Sequence, residues 1–286
     1  MPTIIDELRT RVPAVYKVGM SIRGQLREVA SIPRRRRAES VLRGGAVCVE
    51  ISGKVGLGGL FVHAARALAT GQARGIEVSL RFTAPLYMPS EPVPDWLDSY
   101  FVRNGPSHGP DVPVIEAGEL PSSQAIPTAE GGRLLWSYMQ IHPDIVSAAK
   151  AYMEGTYAAV HFRGSDKFLE AAPVKRERVL DRVDTEMQAR GIERLFVASD
   201  EPTFIEEAIL RFGAERCFSL PQVAVAADGR PPHFSDVPGE IKAAEALQTM
   251  LVLSGAQVVV RTESLLSEWS QTLAPDHHDY IVVQPT

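Results

Sequence analysis

The residues with the clearest chemical potential stand at the end of an apolar run. After Val160 the sequence places His161, Arg163, Asp166 and Lys167 within seven residues. Because side chains alternate along a strand, His161 and Arg163 are expected to face the same side and to reach into one cleft. A guanidinium can grip phosphate oxygens in a fork, so the pattern favours an anion-binding site at the carboxyl end of a buried strand. An ion pair between Arg163 and Asp166 that merely ends the strand is the structural alternative.

A glycine-rich turn is the second candidate site. Its glycines stand at positions 53, 56, 58 and 59, between a strand-like and a helix-like segment, where backbone N–H groups and a helix N-terminus can receive an anion. The spacing differs from the dinucleotide fingerprint G-x-G-x-x-G, and Val55 follows Lys54 where a phosphate-binding P-loop requires Ser or Thr. A ligand cradle built on Gly56 and Gly58, and a tight turn with close packing, both fit this segment.

The elements that position these residues alternate between strands and helices. In the first half, the patterns at 46–52, 60–70 and 77–83 predict one strand–helix–strand unit. Residues 84–132 are rich in Pro and Gly and are predicted to be irregular, with one further strand in the run that contains Val114. A helix is predicted over 134–153, interrupted at Pro143.

The second half alternates regularly. Strands are predicted at 157–162, 194–199, 216–220, 257–261 and 280–283, and helices at 174–190, 203–212, 239–254 and 264–273. Five strands separated by helices imply a parallel, doubly wound α/β sheet that binds ligands at the carboxyl ends of its strands. The Pro-rich stretch 220–238 joins a strand to a helix on that side and is expected to be a functional loop. Two Rossmann-like domains facing a cleft are therefore predicted, at residues 1–145 and 146–286.

Composition excludes several classes of protein. Thirty Lys and Arg against 35 Asp and Glu give a formal charge of −5, so no global positive field is available for nucleic acid. No apolar run approaches the roughly 18 to 20 residues needed to span a bilayer, and the N-terminus lacks a signal-peptide pattern. A cytoplasmic protein with two free thiols, Cys48 and Cys217, is expected. The run Arg34–Arg37 fits either a solvated charged face or a peripheral contact with anionic phospholipid or an acidic partner.

Three motifs resemble those of fucosyltransferases that use GDP-fucose, above all the α1,6-fucosyltransferases that include the nodulation enzymes, with protein O-fucosyltransferases as relatives. The first is the H-x-R-x-x-D run that begins at His161, followed by Glu170-Ala171-Ala172. The second, at 198–203, is similar to a strand that ends in Asp and Pro before a helix. The third, at 260–264, is similar to a strand followed by Thr-x-Ser. The likeness covers roughly residues 140–275.

The resemblance implies a GT-B fold and inverting transfer of a sugar from a GDP-sugar to a glycan or glycoconjugate hydroxyl, without metal or cofactor. Arg163 would neutralise the β-phosphate and Glu170 would be the general base, with Asp166 as a further catalytic candidate. Among the donor-binding candidates, His161 and Asp200 would hold the nucleotide, and Thr262 and Ser264 would bind the diphosphate. The remaining candidates for binding the GDP-sugar are Lys167 and, in the glycine-rich turn, Gly56 and Gly58. The chain contains no Asp-x-Asp, the metal-binding motif of the other major glycosyltransferase fold.

Two departures from the family pattern are visible. Gly164 stands in place of the second Arg of the α1,6-enzymes, and Leu265 in place of the second Ser of the third motif. Two other classes of function stay open. The first is a sugar-nucleotide-binding protein without transferase activity, against which the presence of Glu170 argues. The second is a Rossmann-type oxidoreductase, which the glycine spacing of the turn disfavours.

Overall fold

The computed structural model describes residues 33–34, 36–107, 109, 111–120, 125–164, 174–221 and 232–285. The predictions for Asp166, Lys167 and Glu170 lie outside these residues, as does most of the loop predicted at 220–238. In the arginine run, Arg34, Arg36 and Arg37 are exposed, and contact with a lipid surface stays a prediction. No helix in the described part of the chain combines the length and the apolar character that a membrane span requires.

The first half of the chain forms the predicted strand–helix–strand unit. The elements are β1 (Ala46–Ile51), α1 (Leu57–Arg74) and β2 (Glu77–Phe82). A further parallel strand, β4 (Val114–Glu116), pairs with β1, so this sheet has the order β2-β1-β4. The helix begins at Leu57 rather than at residue 60. Burial of the Leu57 side chain stabilises a first turn that contains two glycines and that helix propensity alone disfavours.

The middle of the chain is more regular than its composition predicts. It contains α2 (Leu97–Tyr100), β3 (Phe101–Arg103), α3 (Thr128–Tyr138), β5 (Met139–Ile141) and α4 (Pro143–Lys150). The prediction of one interrupted helix over 134–153 is wrong at its centre, because β5 pairs antiparallel with β3 there. A residue that precedes proline disfavours the helical region, and Pro143 occupies the first turn of α4. The chain therefore leaves the helix before the proline and re-enters it afterwards.

The second half confirms the predicted five-stranded parallel sheet. Its strands are β6 (Tyr157–Phe162), β7 (Arg194–Ser199), β8 (Cys217–Phe218), β9 (Val258–Arg261) and β10 (Asp279–Val282), in the order β10-β9-β6-β7-β8. The helices are α5 (Arg176–Arg190), α6 (Pro202–Phe212), α7 (Gly239–Gly255) and α8 (Leu265–Gln271). Because β6 lies between β9 and β7, the ends of these three strands meet, and the three motifs of the sequence follow them.

Helices α7 and α8 connect the two sheets. Leu247 and Met250 of α7 and Trp269 of α8 are buried in the same core as β1 and α1. Val252 and Leu253 of α7 belong to a second buried cluster, together with residues of the five-stranded sheet. Although both helices come late in the chain, their apolar side chains stabilise the first half. The domain boundary between residues 145 and 146 stays a prediction.

Candidate active site

A cavity of about 490 Å³ lies where the two halves of the chain meet. Its walls come from the loop after β1 and the start of α1, from the ends of β6 and β7, and from α7 and the start of α8. His161, Arg163, Asp200 and Ser264 are among the lining residues, together with the turn that contains Gly56 and Gly58. The fold thus brings to one cavity residues that lie more than two hundred positions apart in the sequence.

The end of β6 is held from both sides by the other two motifs. The backbone N–H of Arg163 donates to Oγ1 of Thr262 at 2.9 Å. The N–H of Gly164 donates to Oδ1 of Asp200 at 3.0 Å. These bonds fix the backbone that carries the Arg163 side chain. The cavity-lining residues do not include Thr262, whose hydroxyl supports the strand end; the proposed roles of Thr262 and Asp200 toward a ligand stay predictions.

His161 is a buried, neutral imidazole in the cavity wall. It is 7% exposed, and burial lowers its pKa to about 4; Arg163 and Arg261 act in the same direction, and Asp200 opposes them. Among the described residues, its Nδ1 has no hydrogen-bond partner. A buried polar atom without a partner is unfavourable unless a ligand or water satisfies it. His161 is therefore well placed to hydrogen-bond a polar ligand at neutral pH.

The depressed pKa of His161 predicts a specific dependence of stability on pH. An unfolded histidine titrates near pH 6.5, so between that value and about 4 the unfolded chain binds the proton and the folded chain does not. Stability is present above pH 6.5 and is lost as the pH falls, by about 2 kcal/mol at pH 5. Urea unfolding of wild type and His161→Gln at pH 7 and pH 5 measures this. The difference in unfolding free energy should change by that amount, and a constant difference would contradict the assignment.

Two helices begin at the cavity wall. Gly56 is the N-cap of α1 and Ser264 is the N-cap of α8. The Ser264 side chain is 4% exposed, and its Oγ has no hydrogen-bond partner in the part of the chain that the structure describes. Helix N-termini favour anions because their first N–H groups lack intrahelical partners. Together with the guanidinium of Arg163, the two helix starts make this cavity suited to a phosphate-containing ligand.

At Gly58 the start of α1 lies directly against the start of α8. A Cβ at Gly58 would lie 2.8 Å from Cβ of Leu265 and 3.0 Å from the Leu265 backbone carbon. Real Cβ atoms do not come that close, so the glycine is required by packing. The close packing of Gly58 agrees with the interpretation of the segment as a tightly packed turn. Gly58 also lines the cavity, and its role in binding a ligand stays a prediction.

Gly58→Ala is expected to separate the starts of α1 and α8 and so to disturb the cavity. Overpacking of this kind destabilises proteins by about 1 to 3 kcal/mol, and a nucleotide held by both helix starts should lose affinity as well. Gly118→Ala is the matched control, because nothing lies within 4 Å of a Cβ at that position. Thermal melting with and without GDP measures both effects. Equal melting temperatures and GDP shifts for the two variants would contradict the prediction.

Comparison with known proteins settles the fold. No protein-family model and no curated protein matches the amino-acid sequence. The structure of fucosyltransferase NodZ from Bradyrhizobium is similar with a TM-score of 0.55 at 13% identity, covering 80% of this chain and 93% of that one. NodZ α-1,6-fucosyltransferase soaked with GDP-fucose gives 0.54 at 15% identity, covering 80% and 92%. POFUT1 in complex with GDP-fucose gives 0.52 at 10% identity, covering 83% and 97%.

The fold is GT-B. Parallel sheets of three and five strands match the architecture of these fucosyltransferase structures, which confirms the predicted fold class. The similarity at such low identity concerns the fold alone. The cavity that holds His161 and Arg163 occupies the cleft of this GT-B fold.

Several residues of the GT-B cleft are missed by the sequence analysis. Lys242 is 8% exposed, and its Nζ donates to the backbone oxygens of His233 and Ser235 at 3.4 and 3.2 Å; burial lowers its pKa. Lys242 therefore holds the segment that contains His233 and Ser235. A Cβ at Gly56 would lie 3.6 Å from Nδ1 of His233, so this segment reaches the start of α1. A charged residue within the apolar pattern of α7 was the available signal for Lys242. Tyr87, in the Pro-rich middle segment, gave none.

The described residues contain no cluster of side chains suited to binding a metal ion. No group of three or more His, Cys, Asp or Glu side chains among those residues is arranged to hold a metal ion.

Cys48 and Cys217 are free thiols, each partly exposed, and burial raises the pKa of Cys217 to about 11.

Proposed function

We propose that this chain is an inverting, metal-independent glycosyltransferase that moves a sugar, L-fucose, from a GDP-sugar to a hydroxyl of a glycan or glycoconjugate. One observation carries the proposal: the three segments that resemble the fucosyltransferase motifs meet at a single cavity in a GT-B cleft, with Arg163 fixed at its wall. The structural relatives NodZ and POFUT1 are fucosyltransferases, and their structures contain GDP-fucose.

In this proposal the donor is held along the cavity wall. His161 and Asp200 bind the guanosine, an Asp carboxylate being able to accept the N–H groups of guanine. The helix starts at Gly56, Gly58 and Ser264 bind the diphosphate. Thr262 supports the strand end through its oxygen and still carries a proton that a phosphate oxygen can accept. Lys167, outside the described residues, is proposed as a further residue that binds the GDP-sugar.

The transfer step follows from this arrangement. The acceptor oxygen attacks the anomeric carbon on the face opposite the diphosphate, and the bond between that carbon and the β-phosphate oxygen breaks. The bonding electrons move to the β-phosphate, where Arg163 stabilises the developing charge. The carboxylate of Glu170 takes the acceptor proton, with Asp166 as the second candidate for this role. Attack from the opposite face inverts the anomeric configuration.

A thermal-shift panel tests the donor class directly. GDP derivatives should raise the melting temperature at concentrations where UDP, ADP and CMP derivatives do not, because ligand binding to the folded state stabilises it. Turnover of labelled GDP-fucose with glycan acceptors then tests transfer. GDP binding without turnover would favour the sugar-nucleotide-binding protein, and a selective response to NAD(P) would favour the oxidoreductase. Either result would overturn the proposal.

Activity is expected to be independent of metal ions. Arg163 supplies the positive charge at the leaving group, and the chain contains no Asp-x-Asp. Transfer should therefore survive saturating EDTA within about a factor of two, since no ion contributes Lewis-acid stabilisation. Loss of activity in EDTA, with recovery on addition of manganese, would contradict this.

A further inference from the structure

Tyr87 places a phenol in the cavity wall from the first half of the chain. It ends the short 3-10 helix Pro85–Tyr87, is 3% exposed and lines the cavity. The hydroxyl of Tyr100 donates to its backbone oxygen at 2.8 Å, and the ring of Trp96 packs against its own ring at 6.2 Å between centroids. Tyr87 is therefore held in one position before any ligand arrives.

The hydroxyl of Tyr87 accepts one hydrogen bond and retains its own proton. It accepts the backbone N–H of Leu57, the first residue of α1, at 2.8 Å. In the part of the chain that the structure describes, no group accepts the phenolic proton. Burial raises the pKa of Tyr87 far above its ordinary value, so the group remains a donor throughout the physiological range. The guanidinium of Arg163 acts on the same pKa in the opposite direction, and Tyr87 and Arg163 both line the cavity.

On the basis of the proposed function, we infer that Tyr87 is a donor-binding residue whose hydroxyl donates a hydrogen bond to the diphosphate of the sugar nucleotide, alongside Arg163. The phenol lies at the start of α1, where an anion is favoured. Two further buried groups in the same cavity wall, Nδ1 of His161 and Oγ of Ser264, lack hydrogen-bond partners among the residues described. Their presence indicates that a polar ligand completes this site. Tyr87 gives the first half of the chain a side-chain contact to the donor, in addition to the proposed backbone contacts of Gly56 and Gly58.

Tyr87→Phe isolates the hydroxyl, and Tyr138→Phe is its matched control. The buried phenol of Tyr138 also accepts a backbone N–H, that of Leu80, at 2.7 Å, but it does not line the cavity. Both variants remove an acceptor from a buried amide and should lower the melting temperature. Only Tyr87→Phe also removes a donor from the ligand site.

Isothermal titration of GDP and GMP into the three proteins tests the inference. Because GMP lacks the β-phosphate that the proposed function assigns to Arg163, Tyr87→Phe should weaken GDP binding by about 10-fold, the usual effect of losing a hydrogen bond to a charged group, and GMP binding much less. Tyr138→Phe should bind both nucleotides like wild type. GDP affinity within about twofold of wild type in Tyr87→Phe, or equal losses for GDP and GMP, would overturn this inference alone. Failure of wild type to bind either nucleotide would overturn the proposed function and this inference with it.

Discussion

Replacing Arg163 by alanine is expected to reduce sugar transfer by about 100-fold or more, which corresponds to roughly 3 kcal/mol of lost transition-state stabilisation. The guanidinium is the cation at the cavity wall that the proposal assigns to the leaving β-phosphate. The fold should remain intact, because the bonds that fix this strand end use the backbone N–H groups of Arg163 and Gly164 rather than the side chain. Initial rates with labelled GDP-fucose, together with a thermal melt, measure both parts of the prediction.

Two further variants sharpen the Arg163 result. Arg163→Lys should recover only part of the activity, because an ammonium cannot form the two-pronged contact of a guanidinium. Arg182→Ala is the control, since Arg182 is an exposed residue of α5 that pairs with Glu186 on the same helix. It should transfer sugar like wild type. Near-normal turnover by Arg163→Ala would remove the charge-stabilising role and with it the proposed leaving-group chemistry.

Glu170→Gln is expected to lower kcat by roughly 100- to 10,000-fold while GDP affinity barely changes. A general base acts on the proton of the acceptor and not on the nucleotide, so its loss should affect chemistry and leave donor binding in place. The role of Glu170 comes from the resemblance of its sequence segment to the fucosyltransferase motif. Steady-state kinetics and GDP titration on the same preparation separate the two effects.

Asp200→Ala is expected to have the opposite effect, a loss of GDP affinity rather than a loss of the chemical step. Asp200 lines the cavity and accepts the N–H of Gly164, so its removal should weaken GDP binding, at about 1 to 3 kcal/mol for guanine donors left unpaired. Turnover of Glu170→Gln at the wild-type rate would show that Glu170 only pairs with a neighbouring lysine such as Lys167 or Lys175. Asp166→Asn would then be the next variant to test.

The sequence determined the secondary structure of the second half and was enough to predict where along the chain the candidate site residues lie. Short apolar runs such as 157–162 and 194–199 are separated by helical patterns, and that alternation is a local property which a parallel sheet requires. Arg163 and Asp200 follow two of these strands directly. Because parallel strands end at the same edge of a sheet, the amino-acid sequence alone is enough to predict that these two side chains converge.

Contacts between distant segments decided the features of the fold and the cavity that the sequence does not predict. Residues 139–141 became a strand because β3 offers them a pairing partner, which no local pattern records. The start of α1, with two glycines in its first turn, depends on packing against Leu265 from the far end of the chain. The neutral state of His161 arises from its burial in the folded chain. Tyr87 from the first half and Lys242 from α7 line one cavity in the folded chain, where α7 contributes to the cores of both halves. Each of these features depends on desolvation or contact between distant segments, and those quantities exist only once the chain has folded.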